Sequence, residues 1–523
     1  MSAWAAETLP RLAARQPALW LLALLIGIIV GHAAVAFYLG LTLLERHVLR
    51  IGAFGASDLP WLLILAVPAL GGLGVGLLLQ FAVPEKRPLG IPDLIAARAV
   101  GNGQVGPRGA ILNALLALLA LGTGASAGRE GPVAHLGGGL ASIWSGLLGL
   151  SPNASRTLLG AGVAAAVSAS FNAPIAGVLF ALEVVLRHYA LRAFGPIVVA
   201  SAAGALVARM YLGEYPAFVI PSYDLVQSTE YLAIFALGLV CTLVAAGFIH
   251  LVKLCERLAS ELDPPLWLRP AIGGALVGLI ARAVPQVLGV GYGVADAALK
   301  EEFGWGLLAG LLLAKILATA ITLASRLASG VFSPSLVMGA SAGGLFGLLL
   351  GELFPGAVTS PGFYAIIGMG AVSAAVLGAP ISTALIAFEL TLNYETAIAL
   401  LLAVSVSTVM TRSLLGHSFF LWQLERRGID VREGLHLTHL QRVRVHDFMR
   451  PVDTPPALTE GMPVLTRSDT LGRAFTLLEE GGRDAIPVTT IGEEARIVGI
   501  VTYADALRAY NRALVESDIE ANR

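Results

Sequence analysis

Long uncharged runs constrain the fold of this chain more than any other feature. Residues 17–44, 60–84, 109–127, 131–155, 157–182, 193–208, 231–252, 327–351, 353–388 and 396–411 contain no Asp, Glu, Lys or Arg. Each is long enough to reach across, or well into, a hydrocarbon layer about 30 Å thick. Backbone in lipid must satisfy its own hydrogen bonds, so such runs predict helices. A membrane β-barrel would show short alternating segments instead. With 56% hydrophobic and only 13% charged residues, a soluble protein of 523 residues is excluded. The expected fold is a polytopic α-helical membrane protein. Its 60 glycines suit close helix packing and broken helices.

The charge is concentrated at one end. Of 34 Lys or Arg and 35 Asp or Glu, 29 fall within residues 423–523, which predicts a soluble tail starting near Leu424-Glu425-Arg426-Arg427-Gly428. The first apolar run is too long for a signal peptide and lacks a small-residue cleavage site. Arg11 and Arg15 favour a cytoplasmic N-terminal segment, residues 1–16, although Arg46 and Arg50 flank the other end of the first helix. A cytoplasmic tail and a location in the inner or plasma membrane follow from the same reading. Cys241 and Cys255 suggest no disulfide framework. A net charge of −1 marks no nucleic-acid partner.

Gly128-Arg129-Glu130-Gly131-Pro132 places a glutamate in a glycine-rich turn between two uncharged runs. An ionisable group at that depth is costly and marks an ion path. A second pentad, Gly330-Val331-Phe332-Ser333-Pro334, follows 202 residues later. Pro132 and Pro334 both suit the first turn of a helix, where the missing N–H costs nothing. Each pentad therefore predicts a helix N-terminus inside the membrane, and free N–H groups at the positive dipole end make an anion site. Two such ends hold an anion without a full cation, so the ion can also leave. Pro88-Leu89-Gly90-Ile91-Pro92-Asp93 is a third break, readable as another helix start or as an interfacial loop.

The pentads belong to a longer repeat. Gly137 matches Gly339, Ala166-Val167-Ser168-Ala169 matches Ala371-Val372-Ser373-Ala374, and Ala173-Pro174-Ile175 with Glu183 matches Ala379-Pro380-Ile381 with Glu389. The offset drifts only from 202 to 206. Two related halves are expected, and in transporters such halves are often inverted, with the substrate site where they meet.

These residues resemble the CLC family of chloride channels and chloride/proton antiporters. The first pentad is that family's GREGP motif unchanged, the second fits GxFxP, and Gly90-Ile91-Pro92 matches the end of GSGIP. The likeness runs in the family's motif order over residues 15–428. It implies a transmembrane domain over 17–428, with inverted halves at roughly 17–210 and 231–428 and about 17 or 18 helices, some broken. It also implies a homodimer with one anion pore per subunit. Glu130 resembles the gating glutamate, whose carboxylate occupies an anion position until protonated or displaced. The bland alternative is a structural partner for Arg129. Anion-binding positions carried over are Leu89, Gly90, Ile91, Val331, Phe332 and Phe420, mainly through backbone N–H groups.

Three departures modify these expectations. The filter serine of the family falls at Leu89 and the filter tyrosine at Phe420, so both hydroxyl donors are missing. A hydrogen bond to a charged group is worth roughly 1.5–3 kcal/mol, so low anion affinity at the central site is expected. The internal proton acceptor of family antiporters falls at Val184, after Glu183, so transport is expected to be uncoupled from protons or to use another water path. Arg326 stands where glycines are frequent, either raising local anion concentration or paired and snorkelling. His135 is read as a packing residue or a proton relay. Lys315, Glu389 and Arg412 are assigned to structural pairing.

Residues 443–512 read as a small α/β unit. Residues 471–480 have helical spacing, Ala485-Ile486-Pro487-Val488 and Ile497-Val498-Gly499-Ile500-Val501-Thr502 read as strands, and a helix starts near Tyr503. The unit resembles a CBS domain. In that family the positions of Thr502 and Asp505 hold an adenosine ribose, although many such modules only pack. Only one module is found, so pairing across a dimer is expected.

The functional expectation is transport of chloride or similar halides through lipid, gated by Glu130 and channel-like or weakly proton-coupled. The alternative is chloride/proton or fluoride/proton antiport; intact Pro132 and the tail point away from the fluoride branch. An intramembrane enzyme would need a nucleophile or metal ligands beside Glu130, and no such spacing appears, so neither enzyme nor metal centre is expected. A sensor with a vestigial pore is the remaining alternative. No cofactor is expected beyond bound chloride, with adenine nucleotide in the tail left open.

Overall fold

The computed structural model describes residues 16–52, 58–189, 191–214, 230–328, 330–355, 359–391, 394–429, 440, 443–452, 463–481, 484–490 and 496–522. Arg11, Arg15 and Ser329 lie outside them. The chain divides into two compact units, Met1–Trp422 and Gln423–Arg523.

The first unit is helical. In order its helices are α1 (Gln16–His47), α2 (Trp61–Phe81), α3 (Ile91–Ala99), α4 (Pro107–Gly122), α5 (Glu130–Leu147), α6 (Pro152–Phe171), α7 (Pro174–Phe180), α8 (Leu191–Leu212) and α9 (Glu230–Glu261). They continue with α10 (Arg269–Ala283), α11 (Tyr292–Leu299), α12 (Trp305–Ala324), α13 (Phe332–Leu353), α14 (Pro361–Leu377), α15 (Pro380–Thr391), α16 (Tyr394–Leu415) and α17 (Phe419–Glu425). Among the described residues, seven stretches are helical, long and apolar enough to cross a membrane. Their outer faces carry bare apolar side chains, including Phe81, Leu191 and Met210. On a protein in water such a surface would be an aggregation hazard; in lipid it is a solvated one.

The proline breaks define helix starts. Proline opens α4, α6, α7, α14 and α15, where its fixed φ suits the first turn. The ends match across the repeat. Asn172 closes α6 and Gly378 closes α14, both in left-handed backbone, each one residue before an Ala-Pro start.

Reciprocal contacts relate the two halves. The Glu389 carboxylate accepts from the N–H groups of Ile175 and Ala176, at 3.0 and 2.7 Å. The Glu183 carboxylate accepts from Ile381 and Ser382, also at 3.0 and 2.7 Å. Each half therefore caps a helix start of the other, as a local two-fold requires. This places Glu183 and Glu389 in capping roles. The crossings repeat too. A Cβ on Gly137 or Gly162 would strike the backbone carbonyl of the other, and Gly339 and Gly368 stand in the same relation. Small residues there let α5 lie on α6, and α13 on α14.

The second unit holds β1 (Leu465–Thr466), α18 (Leu471–Gly481), β2 (Ala485–Thr489), β3 (Ile497–Thr502) and α19 (Tyr503–Asn522). The sheet order is β1-β2-β3, with β1 parallel and β3 antiparallel to β2. Val445, Leu471, Leu478, Ile486, Val488 and Val501 fill its core. The two-residue strand β1 is too short to show a period in the sequence.

Candidate anion site

The two pentads meet backbone to backbone. Gly128 N–H donates to the Gly330 carbonyl at 2.7 Å, and Gly330 N–H returns to the Gly128 carbonyl at 2.8 Å. Glycine suits this approach. A Cβ on Gly330 would lie 3.1 Å from both the Gly128 carbonyl oxygen and the Gly131 nitrogen. The contact sets the start of α5 against the start of α13, whose first N–H groups have no preceding turn to bond.

Glu130 bridges the two helix starts. Its side chain is about 5% exposed. The Ser333 hydroxyl lies 2.6 Å from both carboxylate oxygens, and the Ser333 N–H donates to Oε2 at 3.3 Å. The Tyr292 hydroxyl donates to Oε1 at 2.8 Å. An acid on the first turn of a helix complements its dipole, and here the helix served is α13 as well as Glu130's own.

The surroundings hold Tyr292 in position. Gly291 precedes it with φ +90, a left-handed turn that a side chain would strain. The Lys315 ammonium is fully buried and donates to the Val287 and Gly289 carbonyls, at 3.1 Å each, which pins that turn. The Arg129 guanidinium lies between the rings of Tyr38 and Tyr292, 4.8 and 4.4 Å from their centroids. Its Nε is 3.8 Å from Glu130 Oε1. A cleft of about 580 Å³ reaches this point, lined among others by Tyr38, Glu45, Arg129, Phe171 and Tyr292.

The other positions marked by the sequence sit at neighbouring helix starts or in the packing around them. Leu89 and Gly90 precede α3, and side chains occupy their N–H groups. Leu89 donates to Asn113 Oδ1 at 2.8 Å and Gly90 to Asp93 Oδ2 at 2.9 Å, while Asp93 is tied to Arg87 at 2.6 Å. Ile91 begins α3 and is buried. Val331 and Phe332 are buried at the start of α13, with the Phe332 ring 4.9 Å from Phe171 and 6.4 Å from Phe180. Phe420 is buried in α17, its ring 6.0 Å from Phe419. Val184 is buried in a π-helical stretch, Ala181–Leu186, that continues α7.

Two further residues marked by the sequence have definite places. Arg326 has left-handed backbone and donates to the Lys86 carbonyl at 3.2 Å. His135 is fully buried, and neither ring nitrogen finds a partner among the described residues. Among those residues, no group of three His, Cys, Asp or Glu could hold a metal ion.

In the tail, Thr502 and Asp505 bond one another. The Thr502 hydroxyl donates to Asp505 Oδ2 at 2.6 Å, and Asp505 N–H donates back to that hydroxyl at 3.2 Å. Asp505 Oδ1 accepts from Arg450 at 2.8 Å and Arg508 at 2.6 Å.

Reading the residues alone missed Tyr292, Ser333 and Tyr38. Ser333 was visible as a hydroxyl inside the second pentad. Tyr292 carried no local signal, because its partner lies 162 residues away.

Broken helices whose starts converge on one buried carboxylate define a class, that of membrane proteins with an ion site built from helix ends. Residues 71–412 match the family model described as voltage gated chloride channel, and residues 445–512 match the CBS domain. The chain belongs to the voltage gated chloride channel, or CLC, family. It is 33% identical over 383 residues to a putative chloride channel protein ClcB-like of Ralstonia nicotianae, covering 72% of this chain and 88% of that protein. It is 30% identical over 407 residues to the voltage-gated ClC-type chloride channel ClcB of Escherichia coli, covering 75% of this chain and 96% of that one. A slow cyanobacterial Cl-/H+ antiporter shares its fold at a TM-score of 0.72 and 21% identity, over 79% of this chain and 99% of that one.

Proposed function

We propose that the chain conducts chloride or similar halides across a membrane and that Glu130 is its gate. One observation carries this reading: the Glu130 carboxylate is seated on the first turn of α13, at the contact between the two pentads. A carboxylate bound by neutral donors mimics a bound halide, so its departure frees an anion position. Ile91, Val331 and Phe332, at the starts of α3 and α13, offer backbone N–H groups further along the path. Leu89 and Phe420 contribute apolar side chains, while the Gly90 N–H is taken by Asp93 and is not counted among the anion donors.

Transport is channel-like or weakly coupled to protons. Val184 supports this reading, since an apolar side chain stands at the position expected for an internal acid. The functional unit is a homodimer in an inner or plasma membrane, with cytoplasmic termini. In the tail, Asp505 supports a packing role over adenine-nucleotide binding, since Arg450, Arg508 and Thr502 already engage its oxygens.

Liposome flux tests the gate. E130A should raise chloride flux by roughly tenfold or more, the equivalent of one lost charged hydrogen bond. Equal flux in E130A and the natural chain, at matched incorporation, contradicts a gating role.

A further inference from the structure

The two hydroxyl donors missing from Leu89 and Phe420 have counterparts elsewhere in this chain. Tyr292 on α11 and Ser333 on α13 direct their hydroxyls at the same carboxylate, at 2.8 and 2.6 Å. Ser333 is 2% exposed. Both donors are neutral, and a hydroxyl hydrogen can turn equally to a carboxylate oxygen or a halide. Tyr292 and Ser333 are also within hydrogen-bond reach of one another, so departure of the carboxylate leaves a pair of adjacent hydroxyls whose freed hydrogen-bonding capacity an anion can take up. The Arg129 cation favours the anion: its guanidinium lies against the Tyr292 ring, while Lys315 pins the turn before that ring through two backbone carbonyls. Glu45 and Tyr38 line the cleft that reaches Tyr292.

We propose that the Tyr292 and Ser333 hydroxyls are the halide ligands that set anion affinity in this chain, in place of side-chain hydroxyls at positions 89 and 420. This rests on the reading of Glu130 as the gate and adds to it. Backbone N–H groups alone would make an affinity insensitive to these two side chains. The hydroxyls make it depend on two oxygen atoms, one from each of two helices. They also balance the competition, because each donor that strengthens the halide strengthens the seated carboxylate too. The ion is consequently held firmly only when Glu130 is away.

Calorimetric titration of sodium chloride into the purified full chain tests the assignment. E130A empties the site, and E130A/Y292F and E130A/S333A each delete one further oxygen. Each double variant should bind chloride at least about tenfold more weakly than E130A, the loss expected for one hydrogen bond to a charge. Cooperative thermal unfolding verifies that each variant is folded, and the two deletions test the idea independently. Equal affinity in all three, or no chloride binding by E130A, overturns the proposal. Absence of chloride flux through the natural chain would instead sink the conduction reading itself.

Discussion

Glycine at position 330 has backbone on two sides, which makes it a sharp test of the pentad contact. G330A would push a methyl group against the Gly128 carbonyl and the Gly131 nitrogen. Overpacking of this kind costs about 1–3 kcal/mol, so thermal unfolding should shift downward and chloride flux should fall. An unchanged melting profile would mean that the two pentads are not in contact. The missing hydroxyls make a second test at this scale. F420Y restores a donor, and calorimetry should then register tighter chloride binding than in the natural chain. No gain would mean that Phe420 does not face the anion path. These residues also mark how far sequence reaches. Glu130 stood out because a lone acid among apolar residues is expensive. Tyr292 did not, because a tyrosine after a glycine turn has many uses and its partner is fixed only by tertiary structure.

Helix starts and stops were the most legible elements. Proline at the first turn, glycine at the breaks and unbroken apolar runs give local signals that lipid does not override. The repeat was legible through a nearly constant offset. The reciprocal capping was not: nothing local says that Glu183 serves α15 and Glu389 serves α7. Capping of this sort is worth about 0.5–2 kcal/mol. E183A and E389A should therefore lower the thermal midpoint by similar amounts, since each removes the same pair of bonds. Strongly unequal losses would contradict the local two-fold. The π-helical stretch holding Val184 was likewise hidden, because its sequence reads as an ordinary apolar helix.

On the scale of the whole molecule, the charge distribution along the chain separates a membrane unit from a soluble one. The tail offers a pH prediction. Burial raises the Asp505 carboxyl, but hydrogen bonds from Thr502, Arg450 and Arg508 outweigh it and hold the group below its ordinary value. A depressed carboxyl adds stability above its unfolded value, near 4, and loses it as pH falls through the lower folded value. Hydrogen exchange in β3 should therefore accelerate below about pH 4, and D505N should accelerate it at neutral pH. Protection that is indifferent to both would remove Asp505 from the account.

The proposed conduction path joins the Glu130 carboxylate seated on the start of α13, an apolar residue at 184 and neutral donors. Recording chloride and pH together in liposomes that hold the natural chain tests this most directly. The account predicts chloride flowing down its gradient without stoichiometric uphill proton movement. A chloride gradient that drives protons uphill would contradict it.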